Sequence, residues 1–216
     1  GAHRVVGAVG VTEWGDKRVL GLWEGVTENR EVCQALVEDL AARGLSAERG
    51  LLVVIDGSKA LAAAVRAVWG ERALIQRCIC HKARNVLEKL PRSMQPTVKR
   101  RLARAWAEPD AAAAALSLQA LADRLEEAGY APAAASLREG LQETLTCQRL
   151  QLPERLRRSL RSTNLIESVF AQHEEVAHRV KRWRNGLQAL RWAAASLLRA
   201  EQSLRPLPAA AQLPGL

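Results

Sequence analysis

Two short apolar runs, separated by a helical segment, constrain the fold of this chain more than any other feature. Leu51–Ile55 (LLVVI) is rich in β-branched residues, the pattern of a strand buried on both faces. Ala73–Cys78 (ALIQRC) is a second candidate strand, and the alanine-rich segment Lys59–Trp69 between them predicts a helix. Strand, helix and strand in this order indicate an α/β fold.

The residues before these strands predict a β-hairpin and a helix. His3–Trp14 and Lys17–Trp23 are strand-like and flank the turn residues Gly15 and Asp16. Apolar residues then recur at helical spacing up to Gly44, where a C-cap glycine is expected. Together with the two buried strands, the hairpin predicts a mixed sheet.

After the second strand the pattern becomes helical. Between Gln95 and Leu150 no segment has strand character, and Pro109-Asp110 and Ala133–Cys147 are typical of a helix start and a further helix. We therefore divide the chain into a first part of the core (1–91), an all-α insertion (92–152), C-terminal helices that complete the core (153–204) and a disordered tail (205–216). The last helix has a predicted buried stripe at Leu187, Leu190, Ala194, Leu197 and Leu198.

Charge and cysteine content narrow the function classes. The net charge of +9 favours a polyanionic partner, nucleic acid first and an anionic membrane second. No run approaches the roughly 20 apolar residues that span a bilayer. The 4 cysteines form no evenly spaced disulfide framework, so we expect a reducing, cytoplasmic location.

Two carboxylates are candidate metal ligands, and each has a structural alternative. Asp56 follows a predicted strand, where α/β sheets place ligand sites, but its oxygen could equally accept backbone N–H groups at the next helix start. Glu167 lies three residues after Asn164, which is the spacing of a capping box. Position alone favours the structural interpretation for both.

A cysteine and histidine cluster and three basic clusters complete the candidates. Cys78, Cys80 and His81 could contribute to a zinc site, although no further ligand pair lies at a useful spacing, and a buried apolar cysteine is the alternative. The basic clusters could bind phosphates or form solvated helix faces. They are Lys99-Arg100-Arg101, Arg155–Arg161 and His178–Arg184, the last with Trp183 available to stack on a base.

Five strings in this order resemble the mutator-type transposases of bacterial insertion sequences. They are LGLWEGVTEN (Leu20–Asn29), VVIDGSKAL (Val53–Leu61), QRCICHKARNV (Gln76–Val86), RSTNLIES (Arg161–Ser168) and VKRWRNGLQALRW (Val180–Trp192). The resemblance implies a ribonuclease H-like core with an all-α insertion, and three carboxylates holding two Mg²⁺ (or Mn²⁺) ions for DNA cleavage and strand transfer. In it, Asp56 matches the second acid, Glu167 the third, and Cys78 with His81 a Cys-x-x-His signature that orders the site.

The resemblance also implies the partners of the protein, and this sequence departs from the family pattern at one position. Element ends and target DNA are the expected ligands, in a homo-oligomeric active complex. The expected DNA-binding residues are Lys59, Arg161, Lys181, Arg182, Trp183 and Arg184. The first acid of the pattern lies in an Asp-Gly pair on an earlier strand, and no Asp precedes Asp16. We therefore expect a truncated, inactive transposase fragment with the central strand of its sheet missing. The alternatives are a non-catalytic DNA-binding remnant and a nuclease of the same core fold.

Overall fold

The structure is a computed structural model that describes residues 4–25, 30–177 and 186–208. It divides into two compact units. The first contains Gly1–Leu51, Lys59–Ala73 and Asn164–Leu216, and the second contains Leu52–Ser58 and Leu74–Thr163. This division differs from the predicted one, because the second unit joins the predicted all-α insertion to the segments after Leu51 and Ala73.

The first unit begins with the predicted hairpin. Strands β1 (Arg4–Val11) and β2 (Lys17–Gly25) pair antiparallel, with a register irregularity between Ala8 and Val9. Gly15 adopts a φ of +88° in the connecting turn, a conformation that glycine reaches without steric cost. The hairpin prediction is confirmed.

Two helices of this unit pack against each other. They are α1 (Arg30–Ala42), which buries Cys33, Leu36, Val37 and Leu40, and α2 (Lys59–Trp69), which buries Ala62, Ala64 and Val65. The indole N–H of Trp69 donates to the carbonyl oxygen of Leu45 at 3.1 Å. The first helix was predicted from the spacing of its apolar residues and the second from its alanine content, and Gly44 ends the first with a φ of +99°.

The C-terminal helices α9 (Asn164–Ala177) and α10 (Gly186–Ser203) pack on each other and on the hairpin. Their buried cluster contains Val169, Leu197 and Ala200. The predicted stripe of α10 is partly wrong, because Ala194 and Leu198 are exposed and Ser196 is buried. Leu198 lies about 100° around the helix from Leu197 and therefore points away from the cluster.

The predicted disordered tail has an ordered beginning. The N–H of Leu207 donates to the carbonyl oxygen of Gly15 at 2.8 Å, and its side chain is buried. Disorder from residue 205 onward is therefore wrong for the first residues of the tail. Residues 209–216 lie outside the described part of the chain.

Strands β3 (Leu51–Ile55) and β4 (Ala73–Arg77) pair with each other in a second two-stranded sheet. All but the first residue of each strand belongs to the second unit. The described strands thus make two separate sheets instead of the single mixed sheet predicted. Only Ile55 of β3 is fully buried. Burial on both faces was wrong for this strand because β4 is its one paired neighbour among the described strands.

The rest of the second unit is helical. Its helices are α3 (Ile79–Leu87), α4 (Gln95–Ala107), α5 (Ala111–Glu127), α6 (Ala131–Arg138), α7 (Thr146–Arg149) and α8 (Glu154–Leu160). Helices α3 to α6 share one apolar core, so the predicted boundary at residue 92 separates helices that pack together. The helix predicted over Ala133–Cys147 is broken at Gly140, which has a φ of +63°.

Candidate functional site

Asp56 lies in an exposed turn directly after β3, which we call the Asp56 turn (residues 56–58). Its Oδ1 accepts a hydrogen bond from the backbone N–H of Ser58 at 2.9 Å. Gly57 adopts a φ of +116°, which a side chain would strain. The structural interpretation of Asp56 is therefore correct in part: one oxygen satisfies a backbone donor, while the carboxylate remains open to solvent.

The buried guanidinium of Arg77 binds the backbone of this turn. Arg77, at the end of β4, donates from Nη2 to the carbonyl oxygen of Gly57 at 3.0 Å, and its Nη1 lies 2.8 Å from the Glu139 carboxylate. A Cβ on Gly57 would approach Nε of Arg77 to 2.7 Å, and one on Gly140 would overlap its Nη1. Both glycines have a positive φ, and a side chain at either position would also force the Arg77 guanidinium to move.

Lys82 completes this arrangement from α3, although only 1% of its surface is exposed. Its Nζ donates to the Ser136 carbonyl at 2.8 Å, to the Glu139 carbonyl, and to the Glu139 carboxylate at 2.9 Å. Two cations thus lie at the C-terminal end of α6, where the helix dipole favours positive charge. We call Arg77, Lys82 and Glu139 the basic clamp.

The clamp changes the ionisation of its own members. Burial lowers the pKa of Lys82 and outweighs the hydrogen bond and charge of Glu139. Burial also opposes ionisation of Glu139, but hydrogen bonds from Lys82 and Arg77 prevail and hold its pKa below the ordinary value. Sequence reasoning missed the clamp. The sequence did contain a signal for it: Lys82 falls on the same helix face as the buried apolar residues Ile79 and Val86.

The Cys-x-x-His residues meet a third side chain. The Cys78 sulfur lies 3.3 Å from Nδ1 of His81 and accepts hydrogen bonds from the N–H and hydroxyl of Thr163 at 3.4 and 3.3 Å. Burial raises the pKa of the Cys78 thiol, but hydrogen bonds from Thr163 and His81 outweigh burial and lower it. Cys80 is exposed, whereas Cys78 is fully buried, so the two thiols do not share one environment.

Asn164 and Glu167 lie in the first unit. Both are exposed, and Glu167 occupies the first turn of α9. The helix begins at Asn164 itself, so the predicted N-cap position is one residue late. Asp56, Cys78 and His81 belong to the second unit.

The predicted DNA-binding residues have different surroundings. Lys59 is exposed at the first residue of α2. Arg161 is half-buried and donates from Nη1 to the Trp106 carbonyl at 3.2 Å. Burial, with the charges of Arg157 and Arg158, lowers the pKa of Arg161. Lys181, Arg182, Trp183 and Arg184 lie outside the described residues.

Comparison with known proteins identifies the family. The profile described as "Transposase, Mutator family" matches residues 2–196. This chain belongs to the Mutator family of transposases. The resemblance drawn from the five sequence strings is therefore confirmed.

Curated relatives of this Mutator transposase chain are insertion-sequence transposases. The transposase for insertion sequence element IST2 of Acidithiobacillus ferrooxidans is 33% identical over 177 residues, covering 82% of this chain and 57% of the relative. A probable insertion-sequence transposase of Corynebacterium diphtheriae is 29% identical over 194 residues, covering 88% and 55%. The chain thus spans little more than half the length of these relatives. Among the described residues of this Mutator chain, no helix combines the length and apolarity needed to cross a bilayer.

Proposed function

We propose that the full natural gene product catalyses metal-dependent DNA cleavage and strand transfer of an insertion sequence, with Asp56 and Glu167 as metal ligands in a ribonuclease H-like core. Membership of the Mutator transposase family supports the reaction class. The single observation that carries the role of Asp56 is the exposed, backbone-anchored carboxylate at the end of β3.

The donor set fits a hard divalent cation. Asp56 and Glu167 are both exposed carboxylates, and Mg²⁺ and Mn²⁺ prefer oxygen ligands. When bound, such ions activate a water molecule or a DNA 3′-hydroxyl and stabilise both oxygens of an in-line displacement at phosphorus. The carboxylates of Asp56 and Glu167 supply the negative charge that retains them.

The basic clamp supports the role of Asp56 by holding its backbone. Arg77 binds the Gly57 carbonyl and the Glu139 carboxylate instead of the Asp56 carboxylate. The guanidinium therefore fixes the turn without neutralising the side chain that would bind the cation. A ligand held in place before binding loses less conformational entropy when the ion arrives.

The phosphate contacts remain part of the proposal. Lys59 and Arg161, together with Lys181, Arg182, Trp183 and Arg184, are proposed to hold donor or target DNA. Arg161 already binds a backbone carbonyl, so we expect a smaller contribution from it than from exposed Lys59. A homo-oligomeric active complex is proposed on the family resemblance.

The test of Asp56 is a cleavage and joining assay on element-end DNA with the full natural gene product and Mg²⁺. Asp56→Asn keeps an oxygen for Ser58 N–H but removes the charge, and should lower cleavage about a hundredfold or more, because metal stabilisation of the transition state is worth several kcal/mol. The matched control is Asp110→Asn. Asp110 is another exposed carboxylate that accepts a backbone N–H, from Ala113 at 2.7 Å. Full activity in Asp56→Asn would leave Asp56 with its structural role only.

Glu167 has a matched control of its own. Glu167→Gln should lower cleavage like Asp56→Asn, whereas Glu154→Gln, in the first turn of α8, should leave it unchanged. The alternative is a non-catalytic DNA-binding protein, which fits the net charge of +9 as well as a catalytic one does. That alternative is supported if the wild-type protein binds DNA with a steep salt dependence but does not cut it, whichever divalent metal is added.

A further inference from the structure

The helical part of the second unit has an uneven charge distribution. Between residues 84 and 104 the sequence has one acidic residue, Glu88, and seven basic ones. These cations are Arg84, Lys89, Arg92, Lys99, Arg100, Arg101 and Arg104. Between residues 108 and 143 acidic residues predominate, with Arg124 and Arg138 as the two cations. Compared with residues 108–143, the segment of α3, α4 and their connection is therefore strongly positive.

Three arginines form one exposed stripe on α4. Arg100, Arg101 and Arg104 lie at helical spacings of three and four residues, so they share one face. All three are exposed, and the opposite face of the helix buries Val98, Leu102, Ala105 and Trp106. We call Arg100, Arg101 and Arg104 the α4 stripe.

Among the residues described, the stripe makes no ion pair with an acidic side chain, whereas Arg77, Arg138 and Arg158 of the same unit each make one. Arg138 pairs with Asp123 at 2.7 Å and Glu126 at 2.6 Å, and Arg158 pairs with Glu154. In the stripe, Arg100 donates to the hydroxyl of Thr97 at 3.2 Å. Unpaired cations this close repel each other, and an anionic ligand would relieve that repulsion.

The C-terminal end of α4 also lacks its usual negative potential. Guanidinium groups of Arg157 and Arg161 donate to the carbonyl oxygens of Ala107 and Trp106, at 3.4 and 3.2 Å. These carbonyls would otherwise form the negative pole of the helix dipole. Two further cations therefore lie at the end of the helix that carries the stripe.

We infer that the α4 stripe binds the sugar-phosphate backbone of double-stranded DNA, without reading its sequence. The identification of DNA as the ligand rests on the proposed function. Arginine binds phosphate bidentately, and Arg100 and Arg104 are one helical turn apart on the same exposed face, so neighbouring backbone phosphates are suitable ligands for them. The aromatic ring of α4, Trp106, is buried, so the stripe has no platform for stacking an unpaired base.

The same burial argues against a membrane surface. An interfacial helix inserts its apolar face into the bilayer, but the apolar face of α4 is part of the core shared by α3 to α6. Duplex DNA requires only the charged face.

The test compares two arginines in matched positions. Arg104 is in the last turn of α4 and Arg124 is in the last turn of α5; both are exposed, but Arg124 lies in the acid-rich part. Binding of the purified protein to a 30-base-pair duplex of arbitrary sequence is measured by fluorescence anisotropy between 50 and 200 mM KCl, with EDTA present. Arg104→Gln should weaken binding about tenfold near 100 mM salt and reduce the slope of log Kd against log[KCl] by about 0.9, and Arg124→Gln should change neither.

The triple variant Arg100→Gln/Arg101→Gln/Arg104→Gln should reduce that slope by about 2 to 3, with an unchanged circular dichroism spectrum. Equal effects of Arg104→Gln and Arg124→Gln would overturn the inference, because net charge alone would then explain binding. It would also be overturned if the triple variant kept full DNA affinity, or lost binding only to phosphatidylserine vesicles. EDTA suppresses cleavage, so inactivity of the proposed catalytic site cannot produce any of these outcomes.

Discussion

The two proposed metal ligands, Asp56 and Glu167, differ in the contacts that hold their backbone in place. The Asp56 turn is tied by Arg77 to a unit in which α3 to α6 share a large apolar core, and buried polar side chains such as Gln76 and Lys82 bond across it. Glu167 lies in the first turn of a helix whose cluster with α10 and the hairpin contains, among the described residues, Val169, Leu197 and Ala200. The comparison teaches that the turn of one ligand is held by a hydrogen bond from a buried arginine before an ion binds, whereas the other ligand is positioned by its place in the first turn of α9.

A deletion in each core gives the largest expected effects and tests this difference directly. Leu118 is fully buried in the α3–α6 core, and Leu118→Ala should lower the free energy of unfolding by about 3–5 kcal/mol. Leu197→Ala should cost about 2–3 kcal/mol, because several side chains packed against its cluster are only partly buried and can move into the cavity. Urea unfolding measures both. A larger loss for Leu197→Ala would reverse the comparison.

Removal of the clamp should have the next largest effect. Arg77→Met leaves the Gly57 carbonyl and the Glu139 carboxylate without this donor, and should cost about 2 kcal/mol of stability. It should also accelerate hydrogen exchange of the Ser58 N–H, whose bond to Asp56 depends on the turn. Exchange at α9 amides is the internal control. Unchanged exchange at Ser58 would show that the turn does not need the clamp.

The pH dependence of stability should show the smallest effect. The pKa of Glu139 is lowered from about 4.5 in the folded state, because the hydrogen bonds from Lys82 and Arg77 outweigh burial. The folded state therefore binds fewer protons than the unfolded state at acid pH, so this contribution is complete above pH 4.5 and is lost as the pH falls through the folded pKa. Glu139→Gln should flatten the acid limb of a stability–pH curve. A curve parallel to that of the wild type would argue against a charged Glu139 in the clamp.

Local sequence patterns were sufficient to predict most of the elements. The β-branched run of β3, the hairpin around Gly15 and the helix start at Asp110 all depend on residues close in sequence, and each is present. The break at Gly140 was overlooked although glycine is a local helix-end signal, whereas the contact between this glycine and Arg77 joins distant segments. The exposed Leu198 was missed because periodicity does not fix which face of α10 meets the hairpin.

Prediction of the site has the same limit. The position of Asp56 at a strand end and the proximity of Cys78 and His81 follow from local sequence, and the structure contains both features. The bonds of Thr163 to Cys78 and of Lys82 to Glu139 join segments far apart in the chain. Such partners come from the packing of α3, α6 and the α8–α9 connection, which no local pattern encodes.

The most direct test of the central claim, that Asp56 binds a divalent cation, is a change of metal preference. Asp56→Cys replaces a hard oxygen ligand by a softer thiolate, while Asp110→Cys provides the control. DNA cleavage by Asp56→Cys should be lost in Mg²⁺ and largely restored by Mn²⁺, which accepts sulfur more readily. Full activity of Asp56→Cys in Mg²⁺ would contradict the assignment of Asp56 as a metal ligand.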